Sequence, residues 1–405
     1  MFRRPRGTRD FGPEKMELRR YVEGKMRGVA SLHGFREVST PIFEEEELFV
    51  ARSGSTIVDE MYSFQDKSGR RLALRPELTA PIIRLYVNEM MHDPKPIKLY
   101  YFGPCFRYER PQKGRYREFY HFGVELIGGK TPLAQAELIS LAHSIFHALD
   151  LDDVNINIGN VRVVKKGVAE LSLPVEEAKK TLTAIDKGDM ETTRKYLGKS
   201  WLLPLLEDNT VETPETVREE MGMMEELFSI LDAMGIPYRR NFKIVRGLDY
   251  YDGMVFEVHS KKLGAESQIC GGGDYDLSTV FGVPRFESTG FAIGLDRTVL
   301  AMGDFKIRKR VVECYVLPMR GVDATLGFSL VSMLRRRGIT ADIDLLGRGL
   351  DKGLKYCANL GARYCFILGT NEVEDRSVTI RDMESGEQET IPEKDLDRFL
   401  RDRFG

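Results

Sequence analysis

Cysteine is scarce in this chain, and what there is carries no pairing pattern. The five cysteines, Cys105, Cys270, Cys314, Cys357 and Cys365, are odd in number and form no C-x-x-C pair. Each lies in or beside an apolar run, so the expected role is a small buried hydrophobe. The six histidines do not combine with them at zinc spacing, and no metal site of protein origin is predicted. No run approaches the ~18 apolar residues that span a bilayer, and the N-terminus lacks the apolar core of a signal peptide. The expectation is a cytoplasmic protein with reduced thiols and no membrane partner. No internal repeat or low-complexity segment is present. The net charge of −2 gives no global sign of nucleic-acid binding. It does not exclude it, because binding rests on a local basic face.

What is present is ordinary in bulk. At 405 residues, 42% apolar and 30% charged, the chain is a globular protein with room for two or three domains. Residues 13 to 34 read as a helix, with Pro13 at the first position, a stripe of Leu18, Val22, Met26, Val29 and Leu32, and Gly34 as C-cap. A strand through Pro41, Ile42 and Phe43 precedes the acidic run Glu44 to Glu47, read as a solvated helix start. A strand-like stretch, Leu72 to Leu74, leads into Arg75-Pro76-Glu77-Leu78-Thr79. Thr131-Pro132 opens a long helix bearing Leu138, Leu141, Ile145, Phe146 and Leu149. Strands and helices without strict βαβ alternation imply a mostly antiparallel sheet carrying helices, an α+β fold.

Between about 160 and 235 glycine thins out and helical periodicity takes over, as in Met221 to Met234. Sheet character is expected to return at Phe242 to Val245. Lys306 to Arg310 reads as a basic linker. Beyond it, strand 311–317, helix 323–337, strand 339–345, helix 350–360 and strand 364–368 alternate as a parallel α/β unit, closed by a hairpin near Gly386 and a helix over 393–403. The division expected is 1–159 and 237–305 as two parts of one domain, 160–236 as a helical insertion, and 311–405 as a separate module.

The stretch from Phe106 to Gly123 carries the most information. Arg107, Arg110, Lys113, Arg115 and Arg117 surround a Pro-Gln-Lys-Gly turn with aromatic residues interleaved. Apolar flanks on both sides read as two strands joined by that turn. Guanidinium forks with aromatic faces behind them suit a nucleotide, phosphates on the forks and base on a ring. On these residues alone a solvated basic hairpin fits equally well.

This hairpin resembles motif 2 of class II aminoacyl-tRNA synthetases, and within them the histidyl-tRNA synthetases. Phe35 to Ile42 resembles motif 1, Arg246-Gly247-Leu248-Asp249-Tyr250-Tyr251 a signature of the histidine enzymes, and Gly290 to Arg297 motif 3. The four matches fall in family order and span nearly the whole chain.

The resemblance implies a class II catalytic domain, with the C-terminal module as an anticodon-binding domain. It implies activation of histidine by ATP, with Mg2+ on the nucleotide phosphates, and transfer to tRNA(His). Motif 1 implies a homodimer. Carried onto this sequence, Arg107, Arg246 and Arg297 are the catalytic cations. ATP is met by Arg107, Glu109, Phe119 and Arg297. Histidine is met by Glu77, Thr79, Arg107, His121, Glu125, Arg246, Tyr250 and Tyr251. Arg110, Gln112, Lys113 and Arg115 face the acceptor end of tRNA.

Other readings stand beside these. Arg246 and Asp249 also suit an ion pair at a strand end, and Arg297 a surface position. Gly271-Gly272-Gly273 suits either close backbone approach to a ligand or a β-bulge. Arg335, Arg336 and Arg337 suit complementation of a helix dipole better than RNA contact.

Two positions depart from the family pattern. His121 stands where Gln is common, and its imidazole can accept a bond from the substrate amino group only while neutral. Asp274 stands where an Arg follows the glycines. The competing function is a non-catalytic synthetase-like regulatory subunit of histidine biosynthesis. Such subunits typically lack the anticodon-binding module and lose catalytic arginines, whereas this chain keeps Arg107, Arg246, Arg297 and the module.

Overall fold

A computed structural model describes residues 2–109, 115–208, 212–245, 251–305 and 312–404, with side chains except at 52–58 and 265–266. It divides into two compact units, Met1–Lys306 and Ile307–Gly405. The linker read at 306–310 lies outside the described residues.

The first unit opens with helix α1, Pro13–Leu32, whose buried Val22, Met26 and Ala30 recur every four residues. The N–H groups of His33, Gly34 and Phe35 donate back to Val29, Ser31 and Ala30 and close it. Strands β1 (Arg36–Glu37) and β2 (Phe43–Glu45), helix α2 (Glu46–Glu60), and strands β3 (Tyr62–Gln65) and β4 (Arg71–Leu74) follow. β2, β4 and β3 form a small antiparallel sheet. The acidic run is therefore half strand, and it is not solvated throughout. Glu44 is paired with Arg84 at 2.7 Å and Glu46 with Arg71, and both carboxylates are nearly enclosed. Local sequence reads an acidic run as a wet face because the arginines that cover it come from later elements.

Helix α3 (Thr79–Leu85), a π-helical turn (Tyr86–Met90), the long strands β5 (Ile97–Phe106) and β6 (Glu118–Ile127), helix α4 (Leu133–Ala148) and strand β7 (Val154–Asn160) come next. Helices α5 (Val161–Ala169), α6 (Val175–Lys187), α7 (Met190–Leu197) and α8 (Leu202–Asp208) share a core that includes Val163, Val164, Ile185, Leu202 and Leu205. Helix α9, Arg218–Ala233, packs elsewhere: Met224, Leu227, Phe228 and Leu231 join the main core beneath the large sheet.

Strand β8 is only Arg239–Arg240. The strand expected over Phe242 to Val245 is absent from these described residues. The Asn241 side chain accepts from Lys243 N–H at 3.1 Å to make a turn, and Phe242 and Val245 bury their side chains in the helical core. Apolar content alone does not separate a strand from a buried turn.

Strands β9 (Tyr251–Ser260) and β10 (Gln268–Tyr275), helix α10 (Ser278–Phe281), strand β11 (Ser288–Gly294) and helix α11 (Leu295–Ala301) complete the unit. Among the described residues, eight strands form one sheet in the order β1-β5-β6-β11-β10-β9-β7-β8. Its central pairs are antiparallel, and β1 and β8 join the edges in parallel. One face is covered by α1, α4 and α9. Phe122, Val124, Leu126, Phe256, Phe291 and Ile293 are buried there, each contributing about 1.5–3 kcal/mol of apolar burial.

The second unit contains β12 (Cys314–Pro318), α12 (Ala324–Arg336), β13 (Ala341–Ile343), α13 (Leu350–Asn359), β14 (Tyr364–Leu368), α14 (Thr370–Glu374), β15 (Ser377–Asp382), β16 (Gln388–Pro392) and α15 (Leu396–Phe404). Its sheet order is β13-β12-β14-β15-β16, parallel among the first three strands and antiparallel in the closing hairpin. Asp323 caps α12 by accepting from Thr325 N–H at 2.9 Å. At the other end of α12, Arg335 donates to the Ala341 carbonyl and Arg337 pairs with Asp397. The α+β reading of the first unit and the parallel α/β reading of the second are both met.

Candidate functional site

Strands β5 and β6 pair without interruption from Ile97↔Ile127 to Phe106↔Glu118. Arg107 N–H then donates to the Arg117 carbonyl at 3.0 Å, so the ladder continues one step into the basic segment. The period of two along β6 sends Phe122, Val124 and Leu126 to the helices and His121 and Glu125 to the opposite face. On that opposite face the sheet opens into a cleft of about 490 Å³.

Arg107, Glu109, Arg115 and Phe119 line one side of the cleft, and Gln268, Gly271, Gly294 and Arg297 the other; His121 and Tyr251 also contribute. Three of the charged groups have defined partners. Arg107 Nε donates to the Pro76 carbonyl at 2.9 Å, and its guanidinium lies 5.3 Å from the centre of the Phe119 ring. Glu109 sits between two cations, 3.9 Å from Arg107 and 3.8 Å from Arg115. Arg297, in the first turn of α11, donates to the Gln268 carbonyl at 2.9 Å. It belongs to the cleft and not to the open surface.

His121 is enclosed. Burial, reinforced by the Arg107 and Arg297 charges, pushes its imidazole down from 6.5 to about 3. It is therefore neutral at any ordinary working pH and keeps a lone pair for an incoming N–H. Cys105 lies beneath it, sulfur to Nδ1 3.9 Å, with a thiol pushed up to about 12 by burial. All five cysteines are free and buried.

Three expected histidine-binding residues lie behind the cleft wall. Glu125 is buried between two phenols, accepting from Tyr101 at 3.1 Å and Tyr275 at 2.5 Å. Gly290 faces it, and a Cβ there would collide with the Glu125 carboxylate and approach the Val124 carbonyl to 2.7 Å. Glu77 accepts from the N–H groups of Thr79 and Ala80 at 2.6 and 3.1 Å and so caps α3, placing Thr79 in its buried first turn. Arg246 and Tyr250, like Arg110, Gln112 and Lys113, lie outside the described residues.

Asp274 belongs to the other face. It accepts from Gln135 Nε2 on α4 at 2.6 Å and from Met254 N–H at 2.8 Å. Burial pushes its carboxyl up to about 7. It borders a separate cavity of about 190 Å³ that includes Gln135, Arg162, Glu220 and Asp252. The reversed charge at this position therefore does not reach the cleft. The glycines before it serve both readings at once: Gly271 lines the cleft, while the β9–β10 register shifts between Gly273 and Tyr275.

Sequence reading missed several residues of the site. Glu257 lines the cleft, paired to His259 at 2.9 Å. Arg75, buried, donates to the carbonyls of Thr40, Pro41 and Pro104 and ties the Glu77 segment to β5. Tyr101 and Tyr275 hold Glu125. The alternation of β5 carries a signal for Tyr101; Arg75 has none without its partners. Among the described residues, no group of three or more His, Cys, Asp or Glu is placed to hold a metal.

Comparison with known proteins agrees with this geometry. Residues 7–298 match the family profile for histidyl-tRNA synthetase, and residues 313–403 that for an anticodon binding domain. The fold is that of a class II aminoacyl-tRNA synthetase: the structure superposes on apo S. aureus histidyl-tRNA synthetase with a TM-score of 0.79 at 29% identity, covering 98% of this chain and 99% of the other. A protein of Bacillus halodurans described as an ATP phosphoribosyltransferase regulatory subunit/histidyl-tRNA synthetase superposes with a TM-score of 0.78 at 24% identity, covering 91% of this chain and 99% of that one. That likeness shows the fold alone. In sequence, the histidine–tRNA ligase of Archaeoglobus fulgidus is 46% identical over 98% of this chain and 99% of its own length. That of Methanosphaerula palustris is 45% identical over 96% and 97%. The chain belongs to the histidyl-tRNA synthetase family.

Proposed function

We propose that this chain is a histidine–tRNA ligase. The observation that carries the reading is full-length kinship to histidine–tRNA ligases, together with a cleft that has arginines on both sides and a neutral imidazole among its lining. In the first step the histidine carboxylate oxygen bonds to the α-phosphorus of ATP and pyrophosphate leaves. In the second a terminal ribose hydroxyl of tRNA(His) bonds to the acyl carbon and AMP leaves.

Negative charge gathers at the α-phosphorus, so fixed cations that need no reorganisation lower the barrier. Arg107 and Arg297 serve there from opposite sides, joined by Arg246. Glu109 accepts the adenine amino group, displacing its long ion pairs, and Phe119 carries the ring. Mg2+ arrives as part of the substrate, held by the ATP phosphates. Glu125 and Tyr251, with Tyr250, take the imidazole of histidine; Glu77, Thr79 and neutral His121 take its ammonium. Arg110, Gln112, Lys113 and Arg115 meet the acceptor end of tRNA. Residues 160–236 act as an insertion, 311–405 as the anticodon reader, and two chains pair through the motif 1 region. The protein works in the cytoplasm; no helix among the described residues is long and apolar enough to cross a membrane.

The deciding experiment is ATP–pyrophosphate exchange with each amino acid in turn. Exchange with histidine alone is expected. Absence of exchange with histidine binding retained would replace this reading by the regulatory subunit. Gln112→Ala should lower aminoacylation and spare exchange, and light scattering should give a dimer mass.

A further inference from the structure

The segment before α1 is not spacer. Gly7 accepts from Arg117 N–H at 3.0 Å, just before β6. Gly7 has φ +86°, and a Cβ there would lie 2.7 Å from the Arg117 side chain. Two residues on, the Arg9 guanidinium lies 3.2 Å from the centre of the Tyr116 ring. Its NH2 group is 2.7 Å from Asp296 Oδ1, an atom shared with Arg19 at 2.5 Å. Phe11 packs against both guanidiniums, at 4.9 and 4.1 Å.

These contacts join two sides of the cleft. Tyr116 and Asp296 both line it, on the hairpin limb and on α11 respectively, and Arg297 follows Asp296 directly. Arg9 itself does not line the cleft; it reaches both sides from behind. The Asp296 carboxylate is 5% exposed and Arg9 22%, so their attraction is poorly screened.

We infer that Arg9 is a positioning residue for the nucleotide: with Gly7 it straps the hairpin limb to the start of α11, fixing the distance between the Arg107–Arg115 side and Arg297. A ligand that must meet cations on both sides is sensitive to that distance, because a shift of about 1 Å costs up to ~100-fold in rate. Histidine, met mainly through β6, β9 and α3, is not. The inference rests on the proposed reading of the cleft as an ATP site.

The test is steady-state exchange on the full chain with Arg9→Ala, Arg9→Lys and Tyr116→Leu, each with a thermal melt. For Arg9→Ala the KM for ATP should rise ~10-fold or more while the KM for histidine stays within ~2-fold. Lysine keeps the charge opposite Asp296 but not the planar stack on Tyr116, so Arg9→Lys should recover part of the loss. Arg9→Ala and Tyr116→Leu combined should cost less than the product of the two, since both cut one strap. Equal rises in both KM values, or an unchanged KM for ATP, would overturn the inference. So would a loss tracking the melting temperature without rescue by lysine. Should Arg9→Ala not fold, the ATP-to-histidine split in Arg9→Lys and Tyr116→Leu decides by the same criteria. Should the wild type bind ATP yet give no exchange, the ligase reading fails, and the strap is judged by equilibrium affinity for ATP in the same variants.

Discussion

The two faces of the eight-stranded sheet are built from the same strands by the same alternation, yet they solve burial in opposite ways. Along β6, Phe122, Val124 and Leu126 turn to α1 and α4 and form a dry apolar layer, while His121 and Glu125 turn to the cleft. Burying a carboxylate on either face is costly unless it is bonded. On the helix side Asp274 is met by Gln135 and a backbone N–H, and burial still raises its carboxyl. On the cleft side Glu125 accepts from two phenols and Glu77 from two backbone N–H groups. Burial by itself therefore does not mark function. What marks the cleft is an open space lined by arginines anchored on backbone carbonyls and by a neutral imidazole.

Substitutions on each face should separate these roles. The largest effect is expected from Arg107→Ala or Arg297→Ala, with histidine-dependent exchange falling ~1000-fold and little change in melting temperature. A large drop in melting temperature would instead make these arginines structural. Next comes Gly290→Ala, which forces Glu125 from between its tyrosines. The KM for histidine should rise ~100-fold, with ATP affected much less, because the clash falls on Glu125 and the Val124 carbonyl and not on Arg107 or Arg297; equal effects would move Glu125 out of histidine recognition.

Asp274→Asn probes the helix side. The folded carboxyl is raised from 3.8 to about 7, so the stability it lends is fully present below about pH 4 and is lost as pH rises towards 7. Asparagine removes that loss. At pH 8 the variant should gain about 1–4 kcal/mol over the wild type and at pH 4 nothing, as urea unfolding at the two pH values will read. Exchange kinetics should not change; a changed KM for histidine would break the separation of the faces.

The smallest effect belongs to His121→Gln, since an amide oxygen replaces a neutral ring nitrogen as acceptor; the KM for histidine should stay within ~3-fold. In the wild type the His121 ring resonance should not move between pH 8 and 5. Because its folded value is depressed, instability from this group grows only as pH falls from about 6.5 towards 3.

Much of this architecture is legible in the chain itself. The strands flanking the basic turn, the helix with its stripe of Val22 and Met26, and the alternating module after residue 312 each follow from spacings of two or about four and from turn residues close by. The grouping of Arg107, Glu109, Phe119, His121, Tyr251 and Arg297 in one cleft was legible through motif order.

Most strands and helices, and the mostly antiparallel sheet, follow from the chain alone, because those depend on neighbours a few residues away. Which face each exception joins was set by packing between distant elements. That packing turned Asp274 to the helices, made Phe242 to Val245 a buried turn, covered Glu44 and Glu46 with arginines, and laid α9 into the main core. It also brought Arg19 to Asp296 across 277 positions of chain. A partner at that separation leaves no trace in local periodicity; it acts only once the sheet has closed over it.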